Sequence, residues 1–330
     1  MDTEKLKDQL HKKIQKLIPR VTSDNYFGIS GQKFFHYTTF DAFKNIIENN
    51  ELHSTFITHL NDPTEVQHSY SLIKNAVAEY PNFDWFHKEK HENMGKRAWM
   101  IDLFKKLGDG FEIFPKQEIG DYIVSLSCVA DEFNCWRFYG DKGKGVSLGF
   151  EINDENMEEN KTDNGEYPKR IHLQKILYGK PEAERWIHSM FQQAFGLKTQ
   201  MKATDIAEIM LKNLIFMLPS IKDSNYKIEN EVRLLRYPLY NIIKNNFEDE
   251  LDKSRLFSSN IKPLPDGIRL KHDRKVTWKY RLELDVRKHL KEIWIGPALD
   301  FKSTSKHFEK LLHDNTFLNV EIKESKHPIC

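Results

Sequence analysis

Gly145-Val146-Ser147-Leu148-Gly149-Phe150 sets large apolar side chains at every second position, with only glycine or serine between them. Side chains alternate across a strand, so Val146, Leu148 and Phe150 share one face and Gly145, Ser147 and Gly149 the other. Three further segments divide in the same way. His36 shares a face with Thr38, opposite Phe35 and Tyr37. Ser125 and Ser127 lie opposite Val124, Leu126 and Cys128, while Glu229, Glu231 and Arg233 lie opposite Ile228, Val232 and Leu234. An antiparallel sheet with one solvated side produces such a pattern. Solvated faces usually carry Lys, Glu and Thr, whereas these carry small Ser and Gly with one His. That composition suits a groove where a ligand lies close against the sheet.

Around these strands the periodicity predicts further elements. Helical spacing runs through Leu6, Leu10, Ile14, Leu17 and Ile18, and again through Phe40, Phe43, Ile46 and Ile47 behind a Thr39 cap. Strands are expected at Phe34–Tyr37, Leu52–Thr58, Tyr122–Cys128, Val146–Ile152, Ile171–Tyr178, Lys227–Arg236, Trp278–Val286, Glu292–Ile295 and Leu318–Lys323. Helices are expected at 63–80, 84–107, 133–139 and 303–313, and residues 248–276 read as a charged connector. Strands and helices mix without a regular βαβ beat, which indicates an α+β fold of split mixed and antiparallel sheets flanked by helices. The chain reads as a single domain over 1–330, with an amphipathic lead-in at 1–33 and a helical insertion at 181–218.

The chain has 330 residues, with 50 Lys and Arg against 49 Asp and Glu, for a formal net charge of +1. That balance excludes a histone-like polycation and turns any nucleic-acid contact into a question about local patches. Apolar residues at 39% and aromatics at 12% supply a globular core. Fifteen glycines argue against a glycine-rich dinucleotide loop. Three cysteines, Cys128, Cys135 and Cys330, make neither a disulfide framework nor a four-thiolate zinc site, and suit a reducing compartment. No signal peptide, membrane span or prenylation box is expected, so the predicted location is cytoplasmic.

The local motifs divide between structure and chemistry. Leu60-Asn61-Asp62-Pro63-Thr64-Glu65 reads mainly as a capping box with Asp62 as N-cap and Glu65 three residues on, with Asn61 or Asp62 as a candidate ligand contact. Trp136 and Tyr139 fall on one side of a short helix, where Trp136 suits either the core or a stacking platform for a flat ligand. Gly140 to Ser147 lacks the lysine of a phosphate loop. The 14 histidines show no ligand spacing with the cysteines, and no metal is expected. Between 269 and 281, the basic Arg269, Lys271, Arg274, Lys275, Lys279 and Arg281 face Asp273 alone, with Trp278 and Tyr280 interleaved. A solvated loop and strand would explain this stretch; a basic aromatic surface for nucleic acid is the alternative.

His36-Tyr37-Thr38, Leu60-Asn61-Asp62-Pro63-x-Glu65, Ser125-Leu126-Ser127, Trp136-x-x-Tyr139, Gly145 to Phe150 and Glu229-x-Glu231-x-Arg233, ending at Ile295-Gly296-Pro297, together resemble a bacterial family of unknown function, DUF2971. More distantly, their order is similar to the ADP-ribosyltransferase superfamily. That resemblance implies an enzyme using NAD as co-substrate and transferring ADP-ribose to a macromolecule, and the basic aromatic stretch 269–281 favours RNA or DNA over protein as the acceptor. It implies that Glu231 is catalytic and that Glu229 orients or deprotonates the acceptor. His36 would hold a ribose hydroxyl, with Tyr37, Thr38 and Asn61 beside it. Ser125 and Ser127 would line the cofactor, and Trp136 and Tyr139 would stack on nicotinamide. Arg233 would either hold the pyrophosphate or keep both glutamates ionised. The role implied is a toxin or phage-defence effector, with an antitoxin or immunity protein as partner.

Two rivals stay open. A metal-dependent nuclease would draw on Glu283, Asp285, Glu321 and Lys323. A non-catalytic nucleotide-binding or immunity module would keep the groove without the chemistry.

Overall fold

A computed structural model describes residues 3–18, 32–57, 60, 64–80, 102, 105–106, 122–152, 171–236, 267–272, 275–282 and 284–328, with backbone alone at 236, 267–272 and 275–282. Helix α1 (Thr3–Gln15) buries Leu6, Leu10 and Ile14, the stripe its spacing predicts. Strand β1 (Lys33–Thr38) leads into α2 (Phe40–Asn49), where the Thr39 hydroxyl accepts from the Ala42 amide at 3.2 Å. There follow β2 (Leu52–Phe56), α3 (Glu65–Glu79), β3 (Tyr122–Ser127), the short α4 (Phe133–Phe138) and β4 (Val146–Glu151). Strands β5 (Ile171–Lys175) and β6 (Leu177–Tyr178) precede two long helices, α5 (Gly179–Phe195) and α6 (Ala203–Met217), which fill the stretch read as a helical insertion. Then come β7 (Ile221–Lys222), a 3-10 turn over Ser224–Glu229, β8 (Glu231–Arg236), β9 (Gly267–His272) and β10 (Lys275–Leu282). The C-terminal part adds α7 (Val286–His289), β11 (Leu290–Ile295), α8 (Phe301–Asp314) and β12 (Glu321–Glu324).

The architecture is mixed α/β, a mixed sheet flanked by helices. Its path runs β12-β11-β4-β1-β3-β2-β10-β9, with β8 on β3 and β5 beyond β8. Among the described strands, β11–β12 and β6–β7 are parallel and the other pairs antiparallel. Strand β3 is the branch point. Along one edge it pairs with β8, from Tyr122↔Arg236 to Ser127↔Glu231. Its other edge is shared, meeting β1 at Ser127↔Phe35 and β2 at Thr55↔Ile123 and Phe56↔Tyr122. The sheet therefore splits beside Ser125.

Two apolar layers hold this frame. Val124, Leu126, Val146, Leu148, Phe150, Val232 and Leu234 form the sheet side of one core, closed by α2 and α8 through Phe43 and Phe308, whose rings lie 4.6 Å apart. Helices α1, α3, α5 and α6 bury Leu10, Ile14, Ile73, Ile187, Met210 and Leu214 in a second. Each such side chain withdrawn from water contributes roughly 1.5–3 kcal/mol. Among the described residues, no helix is long and apolar enough to cross a membrane.

Several boundaries differ from expectation. The strand expected at Lys227–Arg236 starts only at Glu231, because Asn230 takes the left-handed conformation (φ 45°) and ends a 3-10 turn there. Helix α3 starts at Glu65 rather than within a box capped by Asp62, and Thr64 makes no side-chain cap; Asn61, Asp62 and Pro63 lie outside the described residues. The connector contains β9, the strand expected at Trp278–Val286 is Lys275–Leu282 followed by helical α7, and the last strand begins at Glu321. Most of the helix expected at 84–107 lies outside the described residues.

The glycine face of β4 is not a groove. A Cβ on Gly149 would sit 2.6 Å from Glu292 Cγ and 2.8 Å from Phe35 Cε1, so the small residue admits packed protein rather than a ligand. Gly149→Ala should cost roughly 1–3 kcal/mol by overpacking, read as a lower urea midpoint with an unchanged slope. A wild-type midpoint would show that Phe35 and Glu292 yield freely.

Candidate active site

Pairing of β3 with β8 sets Ser127 opposite Glu231 and Ser125 opposite Arg233, so directly opposed side chains of both strands share one face. The left-handed turn at Asn230 swings Glu229 back beside Glu231 although it stands outside the strand. From below, β7 brings Lys222, its position fixed by the pairing Tyr178↔Lys222 and by the Ser69 hydroxyl donating to the Ile221 carbonyl at 2.6 Å. The first turn of α3 contributes Glu65. Five ionisable residues thus meet in the interior, Glu65 from α3 and the other four from the stretch 222–233, each no more than 9% exposed.

Their contacts form one network. The Lys222 ammonium donates to Glu229 Oε2 at 2.6 Å and Glu231 Oε2 at 2.9 Å, and stands 4.0 Å from Glu65. Arg233 donates from Nε to Glu231 Oε1 at 2.7 Å and from Nη2 to Oε2 at 3.1 Å, while its Nη1 reaches Glu65 and the Pro219 carbonyl. Tyr139 donates its hydroxyl to Glu229 Oε1 at 2.7 Å. Three carboxylates against two cations leave the cluster one negative charge in excess. Burial alone would raise the Glu231 carboxyl; the charges of Arg233 and Lys222 outweigh it and hold the group well below the usual carboxylate range. Burial likewise pulls Lys222 down, but Glu231 and Glu229 leave it above its ordinary value. Burial first, then the bond to Glu229, pushes the Tyr139 phenol far above the tyrosine range.

This network floors a cavity of about 840 Å³, within the range of small-molecule and cofactor sites. Its walls include His36, Ser125, Ser127, Tyr139 and Tyr226, and its lining ends in the exposed Phe138 and Ile228. His36 stands at the split of the sheet. Its Nδ1 lies 3.1 Å from the Ser125 carbonyl, so that nitrogen carries the proton and donates. Residues 135–234 match the model of a family described as a protein of unknown function, DUF2971. The match agrees with the resemblance read from the motifs between Trp136 and Arg233. The DUF2971 segment supplies Tyr139, Lys222, Glu229, Glu231 and Arg233, while His36, Glu65, Ser125 and Ser127 come from residues before it. No curated protein and no solved structure gives a significant match to the chain.

The structure sorts the expected site residues. His36, Ser125, Ser127, Tyr139, Glu229, Glu231 and Arg233 all line the cavity. Arg233 is 1% exposed and holds Glu65, Glu231 and the Pro219 carbonyl, and its charge helps to keep Glu231 ionised. Ser127 spends its hydroxyl on the Glu229 carbonyl at 2.9 Å. Tyr37 reaches the wall, but its hydroxyl is occupied by the Val129 carbonyl and the Glu132 amide. Thr38 is buried outside the lining. Trp136 is a core residue: 2% exposed, edge-on to Tyr37, its indole donating to Asp131 at 2.6 Å. The aromatic side chains that line the cavity are Phe35, Tyr37, Phe138, Tyr139 and Tyr226. Asn61 and Arg274 lie outside the described residues. Arg269, Lys271, Lys275, Trp278 and Lys279 belong to the β9–β10 hairpin, where the register sets Arg269 against Trp278.

Lys222 is left out of the sequence reading, which gives Glu65 a capping role only. Lys222 had one available signal, a lone cation closing the stretch Leu214 to Ile221, in which Ser220 is the sole polar residue. Burial pushes the Cys135 thiol up to about 12, which removes it as a nucleophile near neutral pH. Of the residues a nuclease would use, Lys323 is held by Glu292 and Glu321, Asp285 accepts from Asn50, and Glu283 lies outside the described residues. Among the described residues, no group of three or more His, Cys, Asp or Glu side chains is arranged to hold a metal ion.

Proposed function

We propose that the cavity cleaves the bond between nicotinamide and ribose in NAD and transfers ADP-ribose to a macromolecule. The observation that carries this reading is the meeting of Glu229 with an ionised, immobilised Glu231 on the floor of a cavity walled by His36, Ser125 and Tyr139. Departure of nicotinamide with the bonding electrons leaves an oxocarbenium-like sugar, positively charged at C1′. A fixed carboxylate and a cluster with one negative charge in excess stabilise that charge. The acceptor's nucleophilic atom then bonds to C1′ and its proton passes to Glu229, the more exposed of the two carboxylates. The order of motifs that resembles the ADP-ribosyltransferase superfamily supports the same reading. Nucleic acid is the acceptor class proposed, on the basic and aromatic composition of residues 269–281, with a toxin or defence role and a neutralising partner as its setting.

Incubation with labelled NAD and cell lysate tests this. Release of nicotinamide and a labelled macromolecule are expected, with Glu231→Gln lowering the rate by about 10²–10⁴-fold while near-native circular dichroism persists. No nicotinamide, no label and no NAD binding would overturn the reading. One observation favours a second reading, a nucleotide-binding module without turnover: both Glu231 oxygens are already held by Arg233 and Lys222. NAD binding with no nicotinamide release would decide for it.

A further inference from the structure

We infer that residues 325–328 form a strap that fixes α4, and through it Tyr139, against Glu229, with Asp131 as the positioning residue. The segment leaves β12 and turns back over the loop between β3 and α4. The Ser325 hydroxyl donates to Asp131 Oδ1 at 2.6 Å, and the Lys326 amide donates to Oδ2 at 2.8 Å. His327 Nε2 lies 3.0 Å from the Asp131 carbonyl, and its ring meets Phe133, the first residue of α4, edge-on at 6.1 Å. One acidic residue is thus gripped through both carboxylate oxygens and its own carbonyl by a segment 194 to 196 positions away.

The grip reaches the cavity through Trp136. Its indole donates to the same Asp131 Oδ1 at 2.6 Å, so Ser325 and Trp136 share one acceptor. The Trp136 ring in turn underlies the end of α4, where a Cβ on Gly140 would lie 2.6 Å from Trp136 Cε3. Tyr139 stands directly before Gly140 and closes the helix with its amide on the Cys135 carbonyl at 2.9 Å. A six-residue helix has little stability of its own, so its place is set by what holds its two ends. Tyr37 secures the loop from the sheet side, through Val129 and Glu132. The strap supplies the other side.

Full-length Ser325→Ala/His327→Ala and Asp131→Asn proteins test this by amide hydrogen exchange. The amides of Trp136, Tyr139 and Gly140 should exchange about tenfold faster or more, while those of β8 keep their wild-type protection. The NAD reading adds a second readout, kcat for nicotinamide release falling with KM for NAD little changed, because Tyr139 orients Glu229. The exchange measurement does not depend on that reading, so failure of one is separable from failure of the other. Unchanged exchange at α4 in both variants, or exchange raised equally across β8, would overturn the strap.

Discussion

Arg233→Met should lower stability by about 3–5 kcal/mol, because it leaves two buried carboxylates without the guanidinium that neutralises them. The wild-type side chain is 1% exposed and gives Glu231 two hydrogen bonds, with Glu65 and Pro219 sharing Nη1. Arg233→Lys should recover only part of the loss, since one ammonium cannot reproduce a forked grip on one carboxylate while reaching a second. The pH dependence follows from the direction of the Glu231 shift. Its folded value lies below the ordinary 4.5, so its contribution is complete above that pH and is lost as the pH falls towards the folded value. The gap between wild type and Arg233→Met should therefore be larger at pH 7 than at pH 3.5. Urea unfolding at pH 7 and pH 3.5 reads both points. A variant as stable as wild type at pH 7 would show that the network is energetically neutral.

The alternation of Val124, Leu126, Val146, Leu148, Phe150, Val232 and Leu234 made the sheet core readable, because strand periodicity is a property of neighbours in sequence. The same rule placed Ser125, Ser127, Glu231 and Arg233 on one face. It could not say what lies over a face. Gly149 carries the same small-residue signature as Ser125, yet Phe35 and Glu292 fill its side while Ser125 opens on the cavity. That outcome depends on where β1 parts from β3, which is a matter of long-range pairing. Glu229 was grouped correctly with Glu231 for an incorrect reason. The two meet through a left-handed turn at Asn230 rather than along a strand. Glu65 looked like a helix-capping residue and proved to be half of a buried ion pair, a role visible only once α3 packs on β7. Trp136 was equally ambiguous until Asp131 and the C-terminal segment closed over it.

Lys222→Met should have an effect of the same size. The ammonium bridges Glu229 and Glu231, each within 2.9 Å, and stands 4.7 Å from the centre of the Tyr226 ring. Its removal changes the cluster from one excess negative charge to two, in an interior where like charges are poorly screened. A cost of about 3–5 kcal/mol is expected. Glu229→Gln alone should be milder, since Lys222 keeps Glu231 as a partner. The double variant Lys222→Met/Glu229→Gln should be more stable than Lys222→Met by about 1–3 kcal/mol, the sign of direct coupling. A second check lies at alkaline pH. The folded Lys222 titrates above its ordinary 10.5, so its contribution is complete below that pH and is lost as the pH rises through the folded value. Wild type should lose stability there relative to Lys222→Met, which has no ammonium to lose. If glutamine at position 229 instead deepens the defect of Lys222→Met, Glu229 is held by Tyr139 and the backbone, and the lysine acts on Glu231 alone.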